Sequence, residues 1–165
     1  RARSWPQLGW RIFDKATTLP RPQEVDILLV EDDPGHARLI EKNLRRSGIT
    51  NELVAVGDGQ EALDYLHGKG EYATAGSSSP LLVLLDLNLP VLDGYQVLQR
   101  MKANERTKRI PVIILTTTDD SREVSRCYDL GCNVYITKPV DYQEFSDAIR
   151  KIGLFLSVVT VPEGE

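Results

Sequence analysis

Acidic, hydroxyl and ammonium side chains stand in this sequence where apolar runs end. Ile27-Leu28-Leu29-Val30 leads straight into Glu31-Asp32-Asp33, Leu81-Leu82-Val83-Leu84-Leu85 into Asp86, Val112-Ile113-Ile114-Leu115 into Thr116, and Val134-Tyr135-Ile136-Thr137 into Lys138-Pro139. Carboxylates gathered from neighbouring run ends at about 4 Å repel one another by roughly 4 kcal/mol per pair at an effective dielectric of about 20. A cation must relieve that repulsion. Hard oxygen donors with room for water suit Mg2+, which prefers octahedral coordination and commonly bridges one or two carboxylates to a phosphate. Lys138 offers a second cation for a phosphoryl oxygen, and Thr116 offers a hydrogen-bond donor. Phosphoryl transfer demands an in-line nucleophile, charge neutralisation and positioning. A carboxylate such as Asp86 can be that nucleophile, yielding an acyl phosphate.

Positioning these residues requires regular elements, and hydrophobic periodicity supplies them. Five short apolar runs recur from Glu24 onward, at residues 25–30, 53–56, 81–85, 112–115 and 134–136. The first, third and fourth are apolar almost without alternation, the pattern of strands buried on both faces, whereas the second and fifth are shorter or mixed and suit sheet edges. The intervals carry helical periodicity. Four of them open with an Asp followed three residues later by Glu or Gln: Asp58 with Glu61, Asp93 with Gln96, Asp120 with Glu123, and Asp141 with Glu144. The first interval instead places Asp33 as N-cap and Pro34 at the first helical position, buries Ala37, Ile40 and Leu44, and stops at Gly48; Gly131 stops the fourth helix in the same way. Strand and helix alternating five times, with right-handed crossovers, predict an α/β fold with a doubly wound parallel sheet. Ligands of such sheets bind beyond the carboxyl ends of the strands, which is where the polar residues collect.

Composition bounds the rest. The chain has 165 residues, 41% hydrophobic and 27% charged, which fits one ordinary domain with tails. The net charge of -4 divides unevenly, because residues 1–23 carry Arg1, Arg3, Arg11, Lys15 and Arg21 against Asp14 alone. The acidic remainder is the wrong sign for a nucleic-acid binder, since phosphate neutralisation by Lys and Arg dominates such affinity. No apolar run approaches the length of a bilayer span, and a cytoplasmic protein without membrane contact is expected. Cys127 and Cys132 have neither redox nor zinc spacing and read as small buried residues. His36 and His67 stand apart from each other and from either Cys, so neither reads as a metal ligand. The Gly- and Ser-rich stretch from His67 to Pro80 reads as a surface loop without chemistry.

Taken together, Ile27 to Pro34, Leu84 to Pro90 with Asp93-Gly94, Ile110 to Thr116, and Tyr135 to Pro139 resemble the receiver domain of two-component response regulators, in order and spacing, over residues 25 to about 156. The resemblance implies a flavodoxin-like (βα)5 fold with strand order 2-1-3-4-5, so that Asp32 faces Asp86. It implies Asp86 as phosphoacceptor, with Mg2+ held by Asp32, Asp86 and the backbone carbonyl of Asn88 and with Glu31 acting through water. It further implies Lys138 on the phosphoryl group, a cis Lys138-Pro139 peptide, and Thr116 and Tyr135 as a switch pair that alters the surface of the fourth helix, fifth strand and fifth helix. The partner implied is a cognate histidine kinase. Leu115-Thr116-Thr117, Arg126 to Gly131, Tyr135 to Val140 and the long loop before the third strand are most similar to stand-alone regulators paired with bacterial phytochrome histidine kinases.

The domain reading is a basic-aromatic extension at 1–23, a receiver domain at 24–156 and a C-terminal arm at 157–165. With an arm this short, no DNA-binding output is expected. A signalling phosphoacceptor is therefore expected rather than an enzyme, capable at most of self-phosphorylation from small phosphodonors and slow self-dephosphorylation. A haloacid-dehalogenase-like phosphatase is the alternative, weakened because that class carries its nucleophile on the first strand. Apolar residues continue through Leu154, Phe155, Leu156, Val158, Val159 and Val161 after the stripe of Phe145, Ala148, Ile149 and Ile152. That excess predicts a homodimer built on the fifth helix and the arm.

Overall fold

The computed structural model describes residues 25–46, 48–72 and 81–152. The basic-aromatic extension, the C-terminal arm and most of the predicted dimer surface lie outside the described residues. Five strands alternate with five helices: β1 (Asp26–Val30), α1 (Pro34–Arg46), β2 (Leu53–Val56), α2 (Gly59–His67), β3 (Leu81–Leu85), α3 (Gly94–Ala103), β4 (Val112–Thr116), α4 (Ser121–Asp129), β5 (Val134–Thr137) and α5 (Tyr142–Ile152). The strands form one parallel sheet in the order β2-β1-β3-β4-β5, the flavodoxin-like order. The three unbroken apolar runs are its three inner strands. The mixed runs are its edges.

Alternation along each inner strand feeds two separate cores. Leu28, Val30, Val83, Leu85, Val112 and Ile114 meet Ala62 and Leu63 of α2, Val97, Leu98 and Met101 of α3, and Cys127 of α4. Ile27, Leu29, Leu82, Leu84, Ile113 and Leu115 point to the other face, against Ile40 and Leu44 of α1 and Phe145 and Ala148 of α5. Each such side chain contributes roughly 1.5 to 3 kcal/mol by leaving water, so truncating Leu84 or Ile114 to Ala costs about 2 to 5 kcal/mol.

Helix ends follow the predicted chemistry, although at Asp120 and Asp141 the shortest bond comes from the amide two residues on. Asp93 and Gln96 exchange both bonds of a capping box, at 2.9 and 3.1 Å. Asp58 accepts from the Glu61 amide at 2.7 Å, and Asp141 accepts from the Gln143 and Glu144 amides. Asp120 instead takes its shortest bond from the Arg122 amide, at 2.9 Å, one residue earlier than the Asp-x-x-Glu spacing implies. Gly48 (φ 81°) and Gly131 (φ 105°) adopt the left-handed conformation that ends a helix without a Cβ clash.

One sequence expectation needs correction. His67 closes α2, and Gly70–Tyr72 forms a 3-10 turn, so the predicted featureless loop begins with structure. That turn is latched to α2 by the Tyr72 hydroxyl, which donates to Glu61 at 2.7 Å, and by an edge-to-face contact between Tyr65 and Tyr72. Among the described residues no helix is long and apolar enough to cross a membrane. Cys127 and Cys132 are free, and burial pushes their thiols up to about 11 and about 12.

Candidate functional site

The sheet brings the first and third strand ends together because β1 and β3 are neighbours. The Asp86 amide donates to Val30 O at 3.1 Å, extending the ladder one step past β3 and setting Asp86 beside Glu31 and Asp32. One carboxylate oxygen from each of Glu31, Asp32 and Asp86 lies within 4.8 Å of the others. Glu31 and Asp86 are buried, while Asp32 faces solvent. Asp33, the adjacent acid, does not join them. It caps α1, accepting from the Gly35 and His36 amides, and those bonds hold its carboxyl below the usual range.

The fifth strand delivers the counter-charge. The Lys138 amide donates to Thr116 O at 2.7 Å, which pins the end of β5 to the end of β4. From there Lys138 Nζ reaches Glu31 Oε1 at 2.7 Å and Asp86 Oδ2 at 3.3 Å. The peptide that follows, Lys138-Pro139, is cis.

One ammonium does not balance three carboxylates. At 4 to 5 Å each pair repels by roughly 3 to 4 kcal/mol at an effective dielectric of about 20, so a second cation is favoured. The strain registers on Glu31, whose carboxyl is pushed up to about 7, chiefly by burial and then by Asp86, against the opposing pull of Lys138. Its Oε2 is buried without a hydrogen-bond partner among the described residues. An orphaned carboxylate oxygen inside a hard-oxygen cluster fits a divalent cation.

The loop after Asp86 is folded tightly under the site. The Asn88 amide approaches Asp86 Oδ1 at 3.4 Å, and the Gly94 amide donates to Leu87 O at 2.8 Å. A Cβ on Gly94 would stand 2.2 Å from Asp86 O and 2.6 Å from Leu87 Cα, so only glycine permits this approach. Asn88 itself is exposed.

Of the predicted switch pair, Thr116 closes β4 and Tyr135 sits early in β5, level with Ile114, and their hydroxyls do not bond each other. Thr116 is fully buried, and its hydroxyl has no partner among the described residues. The Tyr135 hydroxyl instead donates to Thr118 O at 2.6 Å, and burial pushes that phenol up to about 12.

His36, weighed in the sequence only as a metal ligand, is the residue whose place beside the site the sequence did not show. Its Nδ1 lies 2.9 Å from Glu31 Oε1, sharing that oxygen with Lys138. The available signal was its place in the first turn of α1, directly after the acidic run.

Residues 27–150 match the model of the response regulator receiver domain. Response regulator Rcp1 of Synechocystis sp. is 42% identical over 137 residues, covering 82% of this chain and 92% of that one. The structure of its Mn(2+)-bound form superposes with a TM-score of 0.64. The bacteriophytochrome response regulator AtBRR is 39% identical, with a TM-score of 0.74 over 86% of this chain and all of that one. A response regulator receiver domain from Rhodospirillum rubrum is 57% identical, with a TM-score of 0.65 over 86% of this chain and 99% of that one. None of these likenesses supports the phosphatase alternative. With a family model spanning most of its length and an acidic cluster at the carboxyl edge of a 2-1-3-4-5 sheet, the chain belongs to the response regulator receiver family of two-component signalling.

Proposed function

We propose that Asp86 accepts a phosphoryl group from a histidine kinase, in a reaction supported by Mg2+ bound at Glu31, Asp32, Asp86 and the Asn88 carbonyl. The observation that carries this reading is the convergence of Glu31, Asp32, Asp86 and Lys138, from three different strand ends, on one spot. When bound, the cation neutralises phosphoryl oxygens and offsets carboxylate repulsion. An Asp86 oxygen attacks phosphorus, the bond from phosphorus to the kinase's histidine nitrogen breaks, and that nitrogen keeps the electron pair. The product is an acyl phosphate on Asp86. Lys138, already 3.3 Å from Asp86 Oδ2, pairs with a phosphoryl oxygen. The buried Thr116 hydroxyl, with no bond to surrender among the described residues, turns to another. Tyr135 then moves inward and alters the surface of α4, β5 and α5.

The Mn(2+)-bound form of the relative Rcp1 supports a divalent ion in this cluster. Its likeness to bacteriophytochrome response regulators supports a phytochrome-type photoreceptor kinase as donor. Beside the site an apolar cleft of about 230 Å3, lined by Leu39, Ile40, Pro139 and Val140, offers that kinase a docking contact. The setting is cytoplasmic, the output is a conformational signal, and self-dephosphorylation is slow. A homodimer through α5 and the arm completes the reading, tested by sedimentation of the full chain before and after truncation at Gly153.

Mass measurement after exposure to acetyl phosphate and Mg2+ tests the central step. Wild type should gain one phosphoryl group and Asp86→Asn none. Labelling of Asp86→Asn at the wild-type rate would place the nucleophile elsewhere.

A further inference from the structure

His36 reaches the acidic cluster from a helix rather than from a strand end. Asp33 caps α1 by accepting from the Gly35 and His36 amides, which fixes His36 in the first turn. Side chains of a helix lean toward its N-terminus, so a ring in that turn hangs back over the end of β1. There its Nδ1 lies 2.9 Å from Glu31 Oε1, the oxygen that also accepts from Lys138 Nζ at 2.7 Å. A carboxylate oxygen that takes a bond from an ammonium meets the ring as an acceptor too, so Nδ1 carries the proton and donates.

The two donors are not equivalent. Lys138 divides its ammonium between Glu31 and Asp86, and in the proposed reaction it turns to a phosphoryl oxygen. His36 bonds neither Asp32 nor Asp86 among the described residues, so its donor stays with Glu31 throughout. The Glu31 side chain is only 1% exposed, and its Oε2 has no partner among the described residues. With Oε1 held from α1, the carboxylate cannot turn away from the oxygens of Asp32 and Asp86. We infer that His36 is a positioning residue of the cation site, whose Nδ1 proton holds the Glu31 carboxylate in the orientation that faces Mg2+. This inference rests on the proposed binding of Mg2+ at that cluster. Hydrogen-bond partners of metal-holding carboxylates contribute roughly 10- to 100-fold in affinity, and with Lys138 sharing the oxygen the lower end applies.

Calorimetric titration of the full chain with Mg2+ at pH ~8.5, where a free imidazole is neutral, tests this. His36→Leu should bind Mg2+ about tenfold more weakly than wild type. His36→Asn, which places an amide nitrogen near the position of Nδ1, should recover most of that affinity. The ring is half exposed, so neither substitution disturbs the core. In the background of Glu31→Ala, His36→Leu should have no further effect, since the ring acts through that carboxylate. Equal affinity of wild type and His36→Leu, equal losses in the leucine and asparagine variants, or the same loss in the Glu31→Ala background would overturn the role of His36 while leaving the cation site standing. A wild type that takes up no Mg2+ at millimolar concentration would overturn both.

Discussion

Gly94→Ala isolates how closely the loop after β3 is packed under the phosphoacceptor. The added methyl meets Asp86 O at 2.2 Å and Leu87 Cα at 2.6 Å, both well inside contact distance and both backbone atoms that cannot rotate away. Retreat is blocked from the other side as well, because the Gly94 amide is bonded to Leu87 O at 2.8 Å and the Asp93-Gln96 capping box holds the start of α3. Overpacking of a rigid site costs about 1 to 3 kcal/mol, and here the clash falls on backbone, so the upper end applies. Alanine recovers up to about 1 kcal/mol of helix propensity, leaving a net loss of about 2 kcal/mol. For a chain of this size that lowers the melting temperature by roughly 4 to 8 °C. Circular dichroism melting of Gly94→Ala beside Gly57→Ala measures it, since a Cβ at Gly57 meets nothing within 4 Å. Because Asp86 O is displaced with the loop, Gly94→Ala should also slow labelling by acetyl phosphate. Equal melting temperatures for the two variants would refute the packing argument.

Three further outcomes follow from the same geometry. Glu31 carries a folded pKa of about 7 against an ordinary 4.5, so the folded protein binds the extra proton between these values. Stability of the cation-free protein should accordingly fall by up to ~3 kcal/mol as pH rises through that window, with Glu31→Gln abolishing that component and added Mg2+ restoring stability at pH ~8; urea unfolding that shows the same pH slope in both proteins would contradict this. Asp32→Ala should weaken Mg2+ binding strongly without unfolding the chain, because Asp32 is exposed, and calorimetric titration at equal affinity would remove it from the site. Val91 is a β-branched residue at φ 68° with three-quarters of its surface exposed, so Val91→Gly should stabilise by about 0.5 to 1 kcal/mol, a gain that thermal melting would detect and a loss would refute.

Much of this architecture is legible in the amino-acid order because the physics behind it is local. Unbroken apolar runs mark β1, β3 and β4 as inner strands, and the acids, hydroxyl and ammonium that follow the strands of a parallel sheet emerge at its carboxyl edge. Strand order is another matter. Periodicity shows alternation but not adjacency, so that Asp32 faces Asp86 came from the family resemblance and not from the runs themselves. Side-chain partners across elements were equally hidden. His36 on Glu31, Tyr72 on Glu61 and Tyr128 on the Tyr135 amide each depend on where a helix sits relative to a neighbour, which no spacing in the chain specifies. The positive φ of Val91 was invisible for the opposite reason, since its side chain argues against the conformation that the loop imposes.

The ion pair between Lys138 and Glu31 joins residues 107 positions apart, the first strand end to the last. During synthesis all three carboxylates emerge before the ammonium that pairs with them, which comes only with the fifth strand. A chain still on the ribosome with β4 complete holds the acids without their internal counter-ion. The acidic pocket thus gains its internal counter-charge only once the fifth strand has paired with the fourth.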